Sequence, residues 1–270
     1  MIMKIEDDFD IQKTANCGQC FRAKEVQDGF YRFTTGRHVL YIKPLGDSNF
    51  DISCDSDEWF KVWFNYFDLE TNYREIRTKI ASVNDYFSEA AEFGKGIRIL
   101  RQDPFETLIS FIISQRRSIP SIAAAVNRLS ESFGDEVDTE FETVNCFPTL
   151  KQFKGVSLLD LSSFGLGYRA EYIHDAVDKI YQGIVDFDNL HAYSDDSMIE
   201  ELKKIRGVGD KVANCVALFA FHRISRVPID VWISRVIEED FHGRNLFLKV
   251  IEYAGIAQQY VFYYKKFATQ

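Results

Sequence analysis

Residues 202–213 read Leu-x-x-Ile-x-Gly-Val-Gly-x-x-Val-Ala, and this segment restricts the fold more than any other. Apolar residues fall at helical spacing on both sides of a Gly-Val-Gly turn. Two helices joined that tightly lie against each other, pinned by Leu202, Ile205, Val208 and Val212. Glycine opens left-handed backbone and lets a second backbone come close. The second helix then starts with free N–H groups pointing outward, a ready site for an anion. The plainer reading is one turn of an ordinary helical bundle. A short echo lies upstream, where Gly165-Leu166-Gly167-Tyr168-Arg169-Ala170 parallels Gly207-Val208-Gly209-Asp210-Lys211-Val212. Each opens a helix with a basic residue two positions after its last glycine.

Around the hairpin the chain reads as helix after helix. Phe105, Leu108, Ile109 and Ile112 recur at helical spacing, as do Ile122, Ala125, Val126, Leu129 and Phe133 before Gly134. Asp103-Pro104 is a helix entry with proline in the first turn. Further helices are predicted near 168–182, 198–206, 210–222, 231–240 and 246–268, with an acidic loop over 135–146. Residues 1 to about 80 instead alternate β-rich runs with turns, apart from a helical stretch at 59–67. Gly29–Phe33 and Val39–Ile42 read as a hairpin around Gly36. The expected fold class is α+β, with an N-terminal unit over 1–90 packed on an all-α unit over 91–270. The 270 residues suffice for that, and 15 Gly with 5 Pro exclude disorder or a collagen-like repeat.

The longest apolar runs, such as Cys215–Phe221, fall far short of the ~18 residues a membrane helix needs. The start, MIMKIEDDFD, has no apolar core of a secretory signal. Five scattered cysteines suit a reducing compartment. Cys17 and Cys20 form a lone CxxC, which argues against zinc, and the several close cysteines of an iron–sulfur site are missing. A soluble cytoplasmic protein without a membrane partner is expected. Net charge is −9, which argues weakly against nucleic acid. Residues 203–226, however, carry six basic side chains against one acid, Asp210. A positive stripe on an acidic body is one reading; a solvated basic face is the other.

Lys211 lies in the first turn of the helix that follows Gly209. The positive end of the helix dipole disfavours an ammonium there and favours the neutral amine that attacks carbon. A phosphate-contacting or plain surface lysine is the alternative. Nineteen residues on, Asp230 precedes the helical run Ile233, Val236, Ile237. Its commonest use is an N-cap. A capping carboxylate is also rigid and ionised, so it suits a developing positive charge. Lysine and carboxylate together fit cleavage of a glycosidic bond through an oxocarbenium-like transition state.

These residues, with Gly18-Gln19-Cys20-Phe21-Arg22, Asp103-Pro104-Phe105-Glu106, Val227-Pro228-Ile229-Asp230 and Tyr253-Ala254-Gly255-x-Ala257-Gln258 with Phe262, resemble the helix-hairpin-helix DNA glycosylases. Within them the sequence is similar to the 8-oxoguanine branch. The resemblance implies a small antiparallel sheet domain of the TATA-binding-protein type, packed on the helical glycosylase domain, with the N-terminal segment also lining the base pocket. It implies that Lys211 attacks C1′ of the sugar and displaces the base, that the imine drives β-elimination, and that Asp230 supports the charge. The backbone of Gly207, Gly209 and Val212 is expected to hold a phosphate. The target base leaves the stack, with Phe262 stacking on it, Cys215 closing the other side and Gln258 meeting its Watson–Crick edge. The carbonyl of Gly18 distinguishes the N7–H donor of 8-oxoguanine from the N7 acceptor of guanine. On the same resemblance, Tyr168 and Arg169 are expected to fill the vacated stack and read the orphaned base.

Each of these positions also has a plainer reading. Phe262 and Cys215 can be core, Gln258 solvated, Gly18 a strand-edge glycine, and Tyr168-Arg169 a helix start. The chain is shorter than eukaryotic members, so a compact bacterial-type form is expected, and three departures bear on the opposite base and on how the 5′ phosphate or sugar is held. Arg116 occupies the gap-filling position, Ser121 replaces a cytosine-reading arginine, and Trp232 stands where a phosphate-facing histidine is usual. The chemistry requires no cofactor and no metal, and the implied partner is double-stranded DNA with oxidised guanine, bound by a monomer. Two readings stay open: a related glycosylase/lyase for another oxidised base, and a non-catalytic DNA-binding module.

Overall fold

The computed structural model describes residues 1–268. Strands β1 (Ile2–Lys4), β2 (Lys24–Gln27), β3 (Phe30–Thr35), β4 (His38–Gly46) and β5 (Asn49–Ile52) form one antiparallel sheet in the order β1-β5-β4-β3-β2. The predicted hairpin is present, with Phe33 opposite Leu40 and Thr35 opposite His38. One face of the sheet buries Phe33, Leu40, Ile42 and Ile52 with Trp59, Trp63 and Phe67. β3 nevertheless lacks a clean in–out alternation, because residues 135–146 cover its other face. The acidic loop expected there is a short hairpin, Glu136–Asp138 with Thr143–Asn145. Phe141 packs 4.3 Å from Tyr41, centroid to centroid, and Glu142 pairs with Arg32 at 2.9 Å. Glu142 thus has its partner on the sheet, and Asp135 has Arg37 in the turn between β3 and β4, neither of which their own segment reveals.

The second core is helical. Pro104–Ser114 runs through its centre and is buried on nearly every side, capped by Asp103, whose Oδ1 accepts from the Glu106 amide at 2.8 Å. Ile119–Phe133, Arg169–Tyr181, Asp195–Leu202, Asp210–Phe219 and Ala254–Phe267 surround it. The helices Tyr73–Ala81 and Asp85–Phe93 also bury their apolar faces in this core, the second against the last helix and the first against the second. The first is an amphipathic helix capped by Asn72 in a stretch the sequence reading gave to strands and turns.

Two features place the last helix beside the hairpin. A Cβ on Gly255 would sit 2.5 Å from Leu218 Cδ1 and 2.7 Å from the Arg226 carbonyl, so only glycine permits the crossing. The Gly255 amide donates to the Ile224 carbonyl at 2.8 Å. The two units are joined by buried Arg98, which donates to the carbonyls of Phe67, Asp8, Asp68 and Thr71.

Candidate active site

The helix crossing opens a cavity of about 980 Å³. Lys211, Cys215 and Asp230 face it from one side, Gln258 and Phe262 from another, and Gly18 from the N-terminal segment; Arg116 and Trp232 lie on its wall. Tyr168, Arg169, Gly207, Gly209 and Val212 stand outside the cavity.

Lys211 extends from the first turn of Asp210–Phe219 across the ring of Phe111, 5.0 Å from its centroid. Its Nζ lies 3.3 Å from Ser114 Oγ. Asp230 caps Val231–Arg235, its Oδ1 accepting from the Ile233 amide at 2.9 Å. Burial raises the Asp230 carboxyl above its ordinary value, while the cap amide and the charge of Lys211 oppose that shift. The carboxylate is thus fixed by its cap and poorly solvated, the state in which a nearby positive charge is worth most to it. Burial pushes the Cys215 thiol up to about 11, so it forms a neutral apolar wall.

Gly18 has a φ of +81°, a conformation that favours glycine, and a Cβ there would lie 3.0 Å from Ile119 Cδ1 and 3.4 Å from Phe262. Its segment is clamped from both sides. Gln19 donates to the Arg98 carbonyl at 2.7 Å and accepts from the Leu100 amide at 2.8 Å, while Gln259 donates to the Cys17 carbonyl at 2.6 Å. Gln258 is 4% exposed, and its Oε1 has no partner among the described residues. A buried amide acceptor in a cavity wall is a group awaiting a donor.

Gly207 has a φ of +79°, and the ring of Tyr172 occupies the space where its Cβ would stand. Gln115 Nε2 donates to the Gly207 carbonyl at 3.2 Å. The amides of Gly207, Gly209 and Val212 donate to no acceptor among the described residues. The basic run over 203–226, however, is largely neutralised, as the solvated-face reading has it. Lys203 pairs with Glu200 and Asp210, Lys204 with Glu201, Arg206 with Glu171, and Arg223 and Arg226 with Asp195. Most of those carboxylates come from the helices Asp195–Leu202 and Arg169–Tyr181, outside the window in which the charge was counted.

The second glycine turn differs from expectation at Arg169. Its guanidinium donates to the carbonyls of Gln115 and Leu166 and lies 4.5 Å from the Tyr168 ring centroid. It is 7% exposed, whereas Tyr168 is 43% exposed. Arg116 adopts a φ of +54° in the adjoining turn and is exposed at the cavity rim.

Sequence reasoning missed four supports. Ser114, Gln115 and Gln259 hold Lys211, the hairpin and the Gly18 segment. Lys266 lines the cavity one turn after Phe262. Only Lys266 had a local signal, its spacing of four from Phe262.

Comparison with known proteins identifies the family. Residues 1–108 match the family model of the 8-oxoguanine DNA glycosylase N-terminal domain, and residues 109–245 match that of the HhH-GPD superfamily base excision DNA repair proteins. The chain belongs to the 8-oxoguanine DNA glycosylases of that superfamily. It is similar to the N-glycosylase/DNA lyase of Saccharomyces cerevisiae, 36% identical over 75% of this chain and 56% of the yeast protein. Thus the chain spans little more than half of that relative. The 8-oxoguanine glycosylase/lyase of Clostridium acetobutylicum, solved with double-stranded DNA containing cytosine opposite 8-oxoguanine, superposes with a TM-score of 0.91. It is 33% identical, over 100% of this chain and 99% of that one. MBOgg1, solved with a low affinity DNA ligand, gives 0.94 at 34% identity over 100% and 96%. The antiparallel sheet, the helical HhH-GPD unit and the α+β class follow the family pattern.

Proposed function

We propose that this glycosylase excises 8-oxoguanine from duplex DNA and then cleaves the strand as a lyase. The observation that carries the reading is one cavity walled by both Lys211 with Asp230 and Gly18 with Gln258 and Phe262. The first pair supplies the chemistry and the second group the base pocket.

In this reading the Lys211 amine attacks C1′ through its lone pair, a C–N bond forms and the bond to the base breaks. Asp230 supports the positive charge at the sugar, opening of the sugar gives an imine, and β-elimination releases the 3′ phosphate. Phe262 stacks on the flipped base, Cys215 packs opposite, and the free Oε1 of Gln258 takes a donor from its Watson–Crick edge. The Gly18 carbonyl accepts from N7–H, which guanine lacks. The free amides of Gly207, Gly209 and Val212 hold a phosphate. Trp232 lies beside the sugar or 5′ phosphate. Arg116 fills the gap left by the base, with Tyr168 as the exposed aromatic beside it. Arg169 holds the turn that carries Arg116 and supports Tyr168. The protein acts as a monomer in the bacterial cytoplasm.

The test is incubation with duplexes carrying one 8-oxoguanine opposite C, A, G or T, with borohydride present. A covalent complex on 8-oxoguanine is expected, varying with the opposite base, since Arg116 and Ser121 replace the usual readers. A complex on an abasic site alone would keep the lysine and move the substrate to another base. No complex on either would leave a DNA-binding module.

A further inference from the structure

The base pocket contains a second lysine that the reaction described above does not use. Gln258, Phe262 and Lys266 follow at intervals of four on Ala254–Phe267, so they share one helix face. Lys266 lines the same cavity as Lys211 and Asp230. Its Nζ lies 5.5 Å from the ring centroid of Phe262 and 4.9 Å from that of Phe267. It forms no ion pair or hydrogen bond among the described residues. Its neighbour Lys265, by contrast, pairs with Asp240 at 2.8 Å and Glu239 at 3.4 Å. The charges of Lys211 and Lys266 both act on Asp230, so one capped carboxylate serves two amines. A cation held over the stacking ring, without a paired carboxylate, faces the place where a departing base becomes an anion.

We propose that Lys266 is a leaving-group residue: its ammonium takes up the charge of the purine as the glycosidic bond breaks. This rests on the base-excision reading above. Lys211 Nζ gives its lone pair to C1′, and the electron pair of the C1′–N9 bond leaves with the base as a purine anion. A proton from the Lys266 ammonium neutralises that anion and leaves a free amine, which regains a proton from solvent at the cavity mouth. Burial lowers Lys266 below the ordinary lysine value, against the charge of Asp230, which eases release of that proton. The step serves bases that leave as delocalised anions, and it has no role once the base has gone.

The experiment compares two reactions of the full chain: single-turnover release of 8-oxoguanine at saturating enzyme, and strand cleavage at a pre-formed abasic site. Lys266→Met is expected to slow base release about 100-fold while abasic-site cleavage falls by only about threefold or less. Lys266→Arg keeps the charge and recovers part of the lost rate. Abasic-site cleavage also reports that each variant is folded. Base release by Lys266→Met at the unsubstituted rate overturns the proposal, and so does an equal loss in both reactions. If the unsubstituted protein cleaves abasic sites but releases no 8-oxoguanine, the base reading itself fails, and the proposal fails with it.

Discussion

The two Gly-apolar-Gly turns share a sequence pattern and diverge in what they do with it. At Gly207–Gly209 the left-handed glycine lies under the Tyr172 ring, and the following helix sends Lys211 into a cavity toward a carboxylate. At Gly165–Gly167 both glycines are left-handed, nothing lies within 4 Å of a Cβ at Gly165, and Arg169 folds back onto carbonyls. One turn is a packed joint that aims Lys211 into the cavity; the other is an open edge that ties down its own basic residue. They also touch, since Tyr172 belongs to the helix opened by the second turn and covers the first, while Gln115 bonds to Gly207 and accepts from Arg169. The pattern therefore encodes a helix start, and the neighbours decide its use.

Exchanging the two basic residues for glutamine gives the sharpest division. Lys211→Gln is expected to abolish borohydride trapping and to lower strand cleavage on the order of 10⁴-fold or more, as loss of a nucleophile does. Arg169→Gln should keep trapping, because its guanidinium bonds only to carbonyls. Full trapping by Lys211→Gln would end the assignment of roles to the two turns.

Asp230 is the partner that the second turn lacks. Asp230→Asn is expected to slow base release about 100-fold, the cost of losing a preorganised charge, while the amide keeps the cap on Ile233. Stability moves the other way. Burial raises the folded carboxyl, so the folded state binds the proton more tightly than the unfolded chain. Stability from this group is then full below the ordinary carboxylate range and is lost as pH rises through the raised folded value. At pH 7 Asp230→Asn should unfold at an equal or higher temperature, and the difference should shrink toward pH 4. A lower melting temperature at pH 7 would mean that the carboxylate serves structure more than chemistry.

What the sequence disclosed follows the same division. Gly207, Lys211 and Asp230 were legible because each depends on local rules: left-handed backbone, a helix start and a cap. The neutralised stripe was not, because Asp195 and Glu171 reach Arg226 and Arg206 from other helices. Nor was the hairpin at 136–145, whose Phe141 and Glu142 gain their partners only on the sheet. The cavity was legible in Lys211, Asp230, Gln258 and Phe262 on its wall and silent in its supports. Gln115, Ser114 and Gln259 make bonds spanning 92, 97 and 242 positions, beyond the reach of any spacing rule.

The smallest effect tests the packing difference alone, with alanine at the matched first glycines. Both positions force a left-handed φ, +79° at Gly207 and +68° at Gly165, so both variants pay a similar backbone strain of about 1–2 kcal/mol. Gly207→Ala also places a methyl 2.1 Å from Tyr172 Cδ2, which the ring must vacate. Overpacking of that kind adds about 1–3 kcal/mol, for a total of about 2–5 kcal/mol. Gly165→Ala meets open space, so strain is its whole cost, and Arg117 can still donate to the Gly165 carbonyl at 2.5 Å. Urea unfolding should separate the two variants by about 1–3 kcal/mol, the overpacking share alone. Equal losses would show that Tyr172 moves aside freely, and the first turn would then be as open an edge as the second.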